Sequence, residues 1–365
     1  MTHHDIAIVG SGPSGMVAGV HALKHGYRTI ILEQGATVDP SPPRFEATPS
    51  NGILRLVDRM KIPYESLSYR TMWVSPSEFM YLESSNTPDL IIRRGGMPDS
   101  LCEVLKERFL DAGGEIMFRQ RVHSVEVSGG AVRQLNGGDL DVSFDWLIWA
   151  GGETVPTLEK FCLAPKVMRT MHGAGTIFDS EGVPDRVTVY LDPRRSPGGY
   201  LYEVTSGGRT SIYNVTVGGD PDRLFRDTHE YLASRGIPGA ALTYGHAHTS
   251  PWGKRCILEN VLLAGDAGAM NDYGFGYGTR SAILSGHHAA ESIAKDYNYD
   301  LIAKKPSREA WKSRLVRRCL DRFEPQDWDA VIGLMDNTTS FGPNVGWKAR
   351  MRRAGGVCRA VWRLL

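Results

Sequence analysis

Three glycines, Gly10, Gly12 and Gly15, follow the apolar run Ile6-Ala7-Ile8-Val9, and a carboxylate, Glu33, closes the next such run, Thr29-Ile30-Ile31-Leu32. Near the other end of the chain, "NVLLAGDA" delivers Gly265 and Asp266, and Gly274, Gly276 and Gly278 come soon after. Glycines spaced G-x-G-x-x-G let backbone amides approach a pyrophosphate closely, and a helix opening there adds the positive end of its dipole. Pro13 and Ser14 belong to that turn. Glu33, with Gln34 beside it, is placed to accept hydrogen bonds from the ribose hydroxyls of an adenosine. Asp266 suits the hydroxyls of a ribityl chain. The second glycine set lets backbone approach a flat ring, and the helix after it presents amides to a ring that carries negative charge when reduced.

These residues need elements to hold them. A strand at 6–9, a helix from 15 to about 25 and a strand at 29–32 make one βαβ unit. A polar, Pro-rich loop follows Glu33, then a helix at 52–60 and strand character within 69–94. "MPDSLCEVLKERFLDAGGEIMF" reads as an amphipathic helix closed by Gly113-Gly114 and followed by a strand. "VHSVEVSGGAVRQLNGG" reads as a hairpin, and "DVSFDWLIWAGGE" as a buried strand meeting glycines. Alternation dominates 167–217, the pattern of an antiparallel sheet with Gly/Pro turns. A helix over "PDRLFRDTHEYLASRG" precedes the "VLLAGDA" strand, a helix from about 276 to 295 and a basic helical tail. A nicotinamide dehydrogenase has little need of that late strand. A long, extended FAD does, because its far half must be met by a second segment.

The expected fold is therefore α/β: an FAD-binding Rossmann-like (βαβ) domain with an inserted antiparallel β-sheet substrate domain and a helical C-terminus. The FAD-binding domain is assigned to 1–68, 95–155 and 250–300, the substrate domain to 69–94 and 156–249, and the basic helical segment to 301–365. A chain of 365 residues with 42 Lys+Arg against 41 Asp+Glu gives no charge argument for nucleic acid, and none is expected as a partner. Cys102, Cys162, Cys256, Cys319 and Cys358 are scattered without a C-x-x-C pair, which points to reduced thiols in a cytoplasmic protein. No apolar run is long enough to span a bilayer.

The two glycine-rich segments, "GSGPSG" with Glu33 and "LLAGDAGAMNDYGFGYGTRSAILSGHHAAESI", resemble the two FAD fingerprints of the para-hydroxybenzoate-hydroxylase-like flavoproteins. Within that group the chain is most similar to the geranylgeranyl reductase family, whose aromatic sheet strand and following hairpin have a counterpart in "SPGGYLYEVTSGGRTSIYNVTVGG". The resemblance covers roughly residues 1–300. It implies FAD as cofactor, with NAD(P)H as a candidate electron donor. It places Gly10, Gly12, Gly15 and Glu33 on the ADP part and Asp266 on the ribityl chain. Arg94 matches an arginine that opens a helix close to the flavin, and Arg44 joins the cofactor-binding candidates. The chain departs from the group in three places. Ala150-Gly151-Gly152 stands where A-D-G is usual, a proline after the ribityl aspartate is replaced around Asp272-Tyr273, and Tyr202 replaces a tryptophan.

The implied chemistry is hydride transfer to a carbon–carbon double bond of a prenyl (isoprenoid) lipid, with a proton delivered to the other carbon. The catalytic candidates are Tyr200 and Tyr202, which share one strand face, and Asp272 and Tyr273, in the loop expected to pass the ring. The plainer roles are that the tyrosines pave an apolar cavity and that Asp272 caps a helix. Two other functions fit the same pattern: a flavin-dependent monooxygenase acting on an aromatic or apolar small molecule, and a non-catalytic prenyl-binding escort. His246 and His248 have H-x-H spacing but no third ligand, so no metal site is expected. The tail "WKARMRRAGGVCRAVWRLL" is basic with interleaved tryptophans, which suits either peripheral contact with an anionic membrane on the cytoplasmic face or a C-terminal helix docked on the protein with a basic outer face.

Overall fold

The opening unit is β1 (Thr2–Val9), α1 (Pro13–Lys24) and β2 (Thr29–Leu32). After it come β3 (Arg44–Pro49), α2 (Leu54–Arg59), β4 (Glu65–Leu67), β5 (Thr71–Val74), β6 (Phe79–Leu82) and β7 (Asp89–Arg94). Then follow α3 (Leu101–Asp111), β8 (Glu115–Met117), β9 (Ser124–Ser128), β10 (Ala131–Asn136) and β11 (Val142–Trp149). The middle of the chain holds β12 (Arg169–Asp179), β13 (Arg186–Tyr190), β14 (Tyr200–Ser206), β15 (Arg209–Val217), α4 (Pro221–Ser234) and β16 (Thr243–Thr249). Finally β17 (Val261–Leu263) leads through a 3-10 turn, Gly265–Gly268, to α5 (Thr279–Lys295), α6 (Ser307–Arg322) and α7 (Pro325–Met335). This is a computed structural model, and it describes residues 2–67, 71–82, 88–137, 142–152, 169–249, 258–300 and 307–335. The basic tail, Cys162, Cys256 and Cys358 lie outside the described residues, whereas Cys102 and Cys319 are free thiols.

The uninterrupted apolar runs became the strands of a parallel sheet, ordered β8-β2-β1-β11-β17. Such strands are buried on both faces, so they show no alternation. Ile6, Ile8, Ile31 and Ile148 pack on one side with Met16, Val17 and Phe109. Ala7, Ile30, Leu147 and Trp149 pack on the other with Val132 and Leu135 of the β9–β10 hairpin. That hairpin turns through Gly129 and Gly130, both at positive φ (61° and 81°), the pair of conformations a tight primed turn requires. Register decides function here. Val9 pairs with Leu32 and with Trp149, and Trp149 pairs with Leu263, so four strands end at one level. Gly10, Glu33, Ala150 and Gly265-Asp266 therefore lie along one carboxyl edge, with the strand order reversing at β1, the usual location of a ligand crevice in such sheets.

The second sheet has seven strands in the order β16-β12-β15-β14-β13-β5-β6. All neighbours are antiparallel except β13 and β5, which run parallel with Val189 opposite Trp73. One face buries Leu201 and Ile212 against Tyr231 and Leu232 of α4. The start of α4 has the expected signals: Asp220 accepts from the Asp222 amide at 3.0 Å, and Pro221 occupies the first turn. Glu203, 2 % exposed, points to the α4 side, where Arg186 at 2.7 Å and Arg235 at 3.3 Å pair with it.

Two local expectations need correction. The stretch after Glu33, read as a polar loop, contains β3, which pairs with β7. Its alternation was hidden because Arg44 and Glu46 face a buried charge cluster, not solvent, while Phe45 on the other face is fully buried. The last glycine-rich helix begins at Thr279, not 276, because Gly276 sits at φ 74° and Gly278 is the N-cap. A positive φ cannot continue a right-handed helix.

Candidate cofactor and substrate site

The turn after β1 is built by exclusion of side chains. A Cβ on Gly10 (φ 96°) would stand 2.5 Å from the Ala150 carbonyl oxygen, and one on Gly15 would stand 1.9 Å from the Gly10 oxygen. Gly12 differs: nothing lies within 4 Å of where its Cβ would be, so that side of the turn is open. The open side fronts the amino end of α1, where unpaired amides and the helix dipole favour an anion. Glu33, 4 % exposed, is held by the Ser11 amide at 2.8 Å, the Ser11 hydroxyl at 2.6 Å and the Gly35 amide at 2.7 Å. A carboxylate has about four lone-pair positions. One therefore remains for a ribose hydroxyl, and rotation of Ser11 would release another. Gln34 is exposed next to it.

The late segment closes onto this turn. The Gly265 amide donates to Ser285 Oγ of α5 at 2.9 Å, and a Cβ on Gly265 would meet Ser14 Oγ at 2.6 Å. A Cβ on Gly286 would come within 2.2 Å of the Ser14 carbonyl oxygen, so α1 and α5 are nearly in backbone contact. This explains the small residues Ala282, Ser285, Gly286, Ala289 and Ala290, all buried on one side of α5. Half-buried Asp266 lies at the amino end of α5: its Oδ1 is 3.1 Å from the Cβ position of Gly278. The two glycine segments thus form one continuous cradle with a carboxylate toward each end, which fits an extended dinucleotide such as FAD. Asp266→Ala should yield protein isolated with little or no FAD, read as the flavin-to-protein absorbance ratio. Full occupancy would move the ribityl chain elsewhere.

Beside the cradle lies a cavity of about 190 Å³, walled by the inner face of the seven-stranded sheet, β3 and the 275–277 loop. Tyr200, Tyr202 and Val204 alternate along β14 into it, and Phe275 and Tyr277 come from the loop. The Tyr200 hydroxyl donates to the Phe275 carbonyl at 2.6 Å, fastening the loop to the sheet. Burial pushes the phenols of Tyr200 and Tyr202 well above the usual range, so both stay protonated. For Tyr202, the nearby Arg44 cation acts in the opposite sense.

Under the cavity is a charge cluster that motif spacing did not reveal. Arg94 donates to Asp39 at 2.8 Å, to the Thr279 hydroxyl at 2.7 Å and to Glu46 at 3.4 Å. Arg44 donates to Glu46 at 2.6 Å and to Ser41 at 2.9 Å. Burial alone would raise the Asp39 and Glu46 carboxyls, but Arg94 and Arg44 outweigh it and hold both below the ordinary carboxylate range. Arg94 thereby ties β7 to the first residue of α5. Asp39 and Glu46 carried no signal because each sits alone in a polar stretch.

Asp272 does not cap α5, as its N-cap is Gly278. Instead its carboxylate accepts from the Phe275 amide at 2.8 Å and its own amide donates to the Tyr277 carbonyl at 2.8 Å, which shapes the aromatic loop. Tyr273 is turned toward Arg169, whose Nε donates to its hydroxyl at 3.2 Å. Helix α6 props the loop from behind: Arg317, 2 % exposed, donates to the Gly274 carbonyl at 3.1 Å, and Ser313 Oγ accepts from the Gly274 amide at 3.0 Å. His246 lines the cavity, and His248 is hydrogen-bonded to Thr170 at 3.0 Å.

The parallel sheet with its glycine cradle, joined to a larger mixed sheet over an aromatic cavity, is the fold of the FAD-dependent monooxygenases and geranylgeranyl reductases. A geranylgeranyl bacteriochlorophyll reductase-like protein from Thermoplasma acidophilum superposes with a TM-score of 0.76 at 18% identity, covering 100% of this chain and 99% of that one. The p-nitrophenol 4-monooxygenase from Pseudomonas putida superposes with a TM-score of 0.68 at 17% identity, with the same coverage. In sequence, the chain is 24% identical over 369 aligned positions to the digeranylgeranylglycerophospholipid reductase of Thermoplasma volcanium, spanning 90% of this chain and 87% of that protein. No family model matches the chain. The resemblance to the geranylgeranyl reductase family, expected from the two glycine segments, is borne out. Among the described residues no helix is long and apolar enough to cross a membrane.

Proposed function

We propose that the chain is an FAD-dependent oxidoreductase that reduces carbon–carbon double bonds of a prenyl lipid. The observation that carries this reading is the adjacency of the two-segment cradle to an apolar, aromatic-walled cavity. The similarity to a digeranylgeranylglycerophospholipid reductase over most of both chains supports it. Gly10, Gly12, Pro13, Ser14, Gly15 and Glu33 would hold the ADP part. Gly265, Asp266, Gly276 and Gly278 would hold the ribityl and ring part. FAD bound there and reduced supplies a hydride to one alkene carbon.

An unactivated double bond also needs a proton at the other carbon, placed without water. Of the four tyrosine and aspartate candidates, Tyr202 is the donor we assign. Its ring lines the cavity, and Arg44 favours the anion left when Oη gives up its proton. Tyr200 is fastened to the Phe275 carbonyl, Asp272 organises the loop and Tyr273 faces Arg169, so these three position the wall. Tyr202→Phe should lower the rate of reduction by about 10²–10⁴-fold while substrate binding changes little. An unchanged single-turnover rate would return Tyr202 to a paving role.

The test of the reaction is anaerobic. The protein is reduced chemically, mixed with geranylgeranyl glycerophospholipids, and the lipids are weighed by mass spectrometry. A gain of two hydrogens per bond is expected. The superposition on a monooxygenase supports a second reading, hydroxylation of an aromatic or apolar small molecule. No hydrogen gain, with an oxygen atom incorporated once air is admitted, would establish that reading instead.

A further inference from the structure

We propose that α1 and α5 share a binding site for a divalent transition metal of the zinc class, formed by His21, His25, His287 and Glu291. The site lies between the carboxyl end of α1 and the middle and last turns of α5, away from the cradle at their amino ends. His21 on α1 and His25, the residue that caps its carboxyl end, are four positions apart, and His287 and Glu291 are one turn apart on α5. Side chains four residues apart lie on the same face of a helix, so each pair aims at the other. The helices run side by side in the same sense: Ser14 meets Gly286, His21 meets His287, His25 meets Glu291, and the Tyr27 hydroxyl reaches the Ile293 carbonyl.

The geometry points to a ligand and not to ordinary packing. His21 is 5 % exposed, and neither of its ring nitrogens has a hydrogen-bond partner; Nδ1 of His287 has none either. A buried, unpaired polar atom is costly, and this interface holds three such atoms on two rings whose centroids are 4.4 Å apart. Ligand atoms of His21, His287 and Glu291 lie within 4.8 Å of one another. Tetrahedral zinc, with bonds of about 2.0–2.1 Å, needs ligand atoms about 3.4 Å apart, a distance reached by small side-chain rotations. His25 Nε2, 2.8 Å from Glu291 Oε1, stands outside that three-residue group and becomes the fourth ligand by turning toward it as the metal enters. The remaining contact of Glu291 is to Lys295, a side chain 60% exposed and able to swing into solvent as a metal enters. His288, next in sequence, turns to Tyr297 at 3.3 Å and takes no part. Two or three imidazoles with one carboxylate suit zinc or its cobalt and nickel analogues, and not calcium or magnesium.

The test uses full-length protein without a polyhistidine tag, stripped with chelator and titrated with Zn²⁺ by calorimetry, then with Co²⁺ by visible absorption. One equivalent should bind, with the intense visible bands of four-coordinate cobalt and a rise in thermal midpoint on adding zinc. His287→Ala and Glu291→Gln should each weaken binding by at least about ten-fold and abolish the rise. Since His287→Ala sits at a packed interface, Glu291→Gln and His25→Ala, both on the solvent side, decide the matter if it misfolds. His3→Ala should leave binding unchanged, because His3, Asp5 and Asp145 form a separate surface cluster. Absence of stoichiometric binding, or binding indifferent to Glu291→Gln and His25→Ala, or lost with His3→Ala, overturns the site.

Discussion

Gly15→Ala is expected to give a destabilised protein that does not retain FAD. On a helix an alanine should help: it gains roughly 1 kcal/mol of propensity over glycine. Here the new methyl would stand 1.9 Å from the Gly10 oxygen and 3.0 Å from the Gly10 carbonyl carbon. Both atoms are backbone, and Gly10 has little room to retreat, because its amide is tied to the Leu32 carbonyl at 2.8 Å and the Ala150-Gly151 backbone occupies the space where its own Cβ would stand. Relief requires α1 to move away from the β1 turn. Overpacking of this kind costs about 1–3 kcal/mol or more, enough to reverse the propensity gain. The larger loss is in binding, since the same movement carries the helix amides away from the pyrophosphate. Gly12→Ala is the control, with nothing within 4 Å of its Cβ. It should leave the denaturation midpoint of FAD-free protein nearly unchanged but impair FAD uptake, because its methyl enters the open side of the turn. If Gly15→Ala bound FAD like the parent, the assignment of this turn to the pyrophosphate would be wrong.

Arg94→Met should be the most damaging single change to stability, by about 3–5 kcal/mol, because it leaves a buried carboxylate uncompensated. Asp39 is 5 % exposed in its side chain and Arg94 10 %, so water cannot replace the lost partner. Asp39 would keep the Ser41 hydroxyl at 2.6 Å and the Gly95 amide at 3.2 Å, with Arg44 a remaining nearby cation. Asp39→Asn added to Arg94→Met should recover part of the loss, a result that deletion of two independent contacts would not give. The pH dependence has a defined sign. In the parent, the Asp39 carboxyl is held below its unfolded value despite burial, so its stabilisation is complete above the unfolded carboxylate pKa, about 4, and is lost as pH falls further. In Arg94→Met the largest opposing influence is gone, so burial, countered only in part by Arg44 and the Ser41 hydroxyl, raises that carboxyl above its value in the parent. Its destabilisation is then greatest near neutrality and shrinks on acidification. Urea midpoints of the two proteins should therefore converge as pH falls from 7 toward 4. A gap independent of pH would mean that Arg94 acts by packing and not by charge.

The strands and helices around the cofactor were legible because their signals are local. An uninterrupted apolar run ending in glycine, and a run ending in an acid, keep their meaning wherever they occur in a chain. The β9–β10 hairpin was legible for the same reason, since Gly129-Gly130 is a turn signal by itself. Strand β3 was not. Its polar side chains face inward, and inward-facing charge looks in sequence like solvent-facing charge. For Asp272, named as a catalytic candidate, the plainer alternative of a helix cap did not hold, because an acid before a glycine-rich helix start has the same appearance whether it caps the helix or braces the loop.

The sequence alone determined that two distant segments have backbone bare enough to meet phosphate and ring, and that each carries a carboxylate. Only the tertiary structure decided that they share one edge, through a strand register that aligns Val9, Leu32, Trp149 and Leu263. It also decided that Arg94 answers Asp39 from 55 positions away, and that His21 of α1 converges with His287 and Glu291 of α5. Turn and helix propensities are properties of neighbouring residues. Pairings between distant charges depend on where the hydrophobic core has already placed the chain.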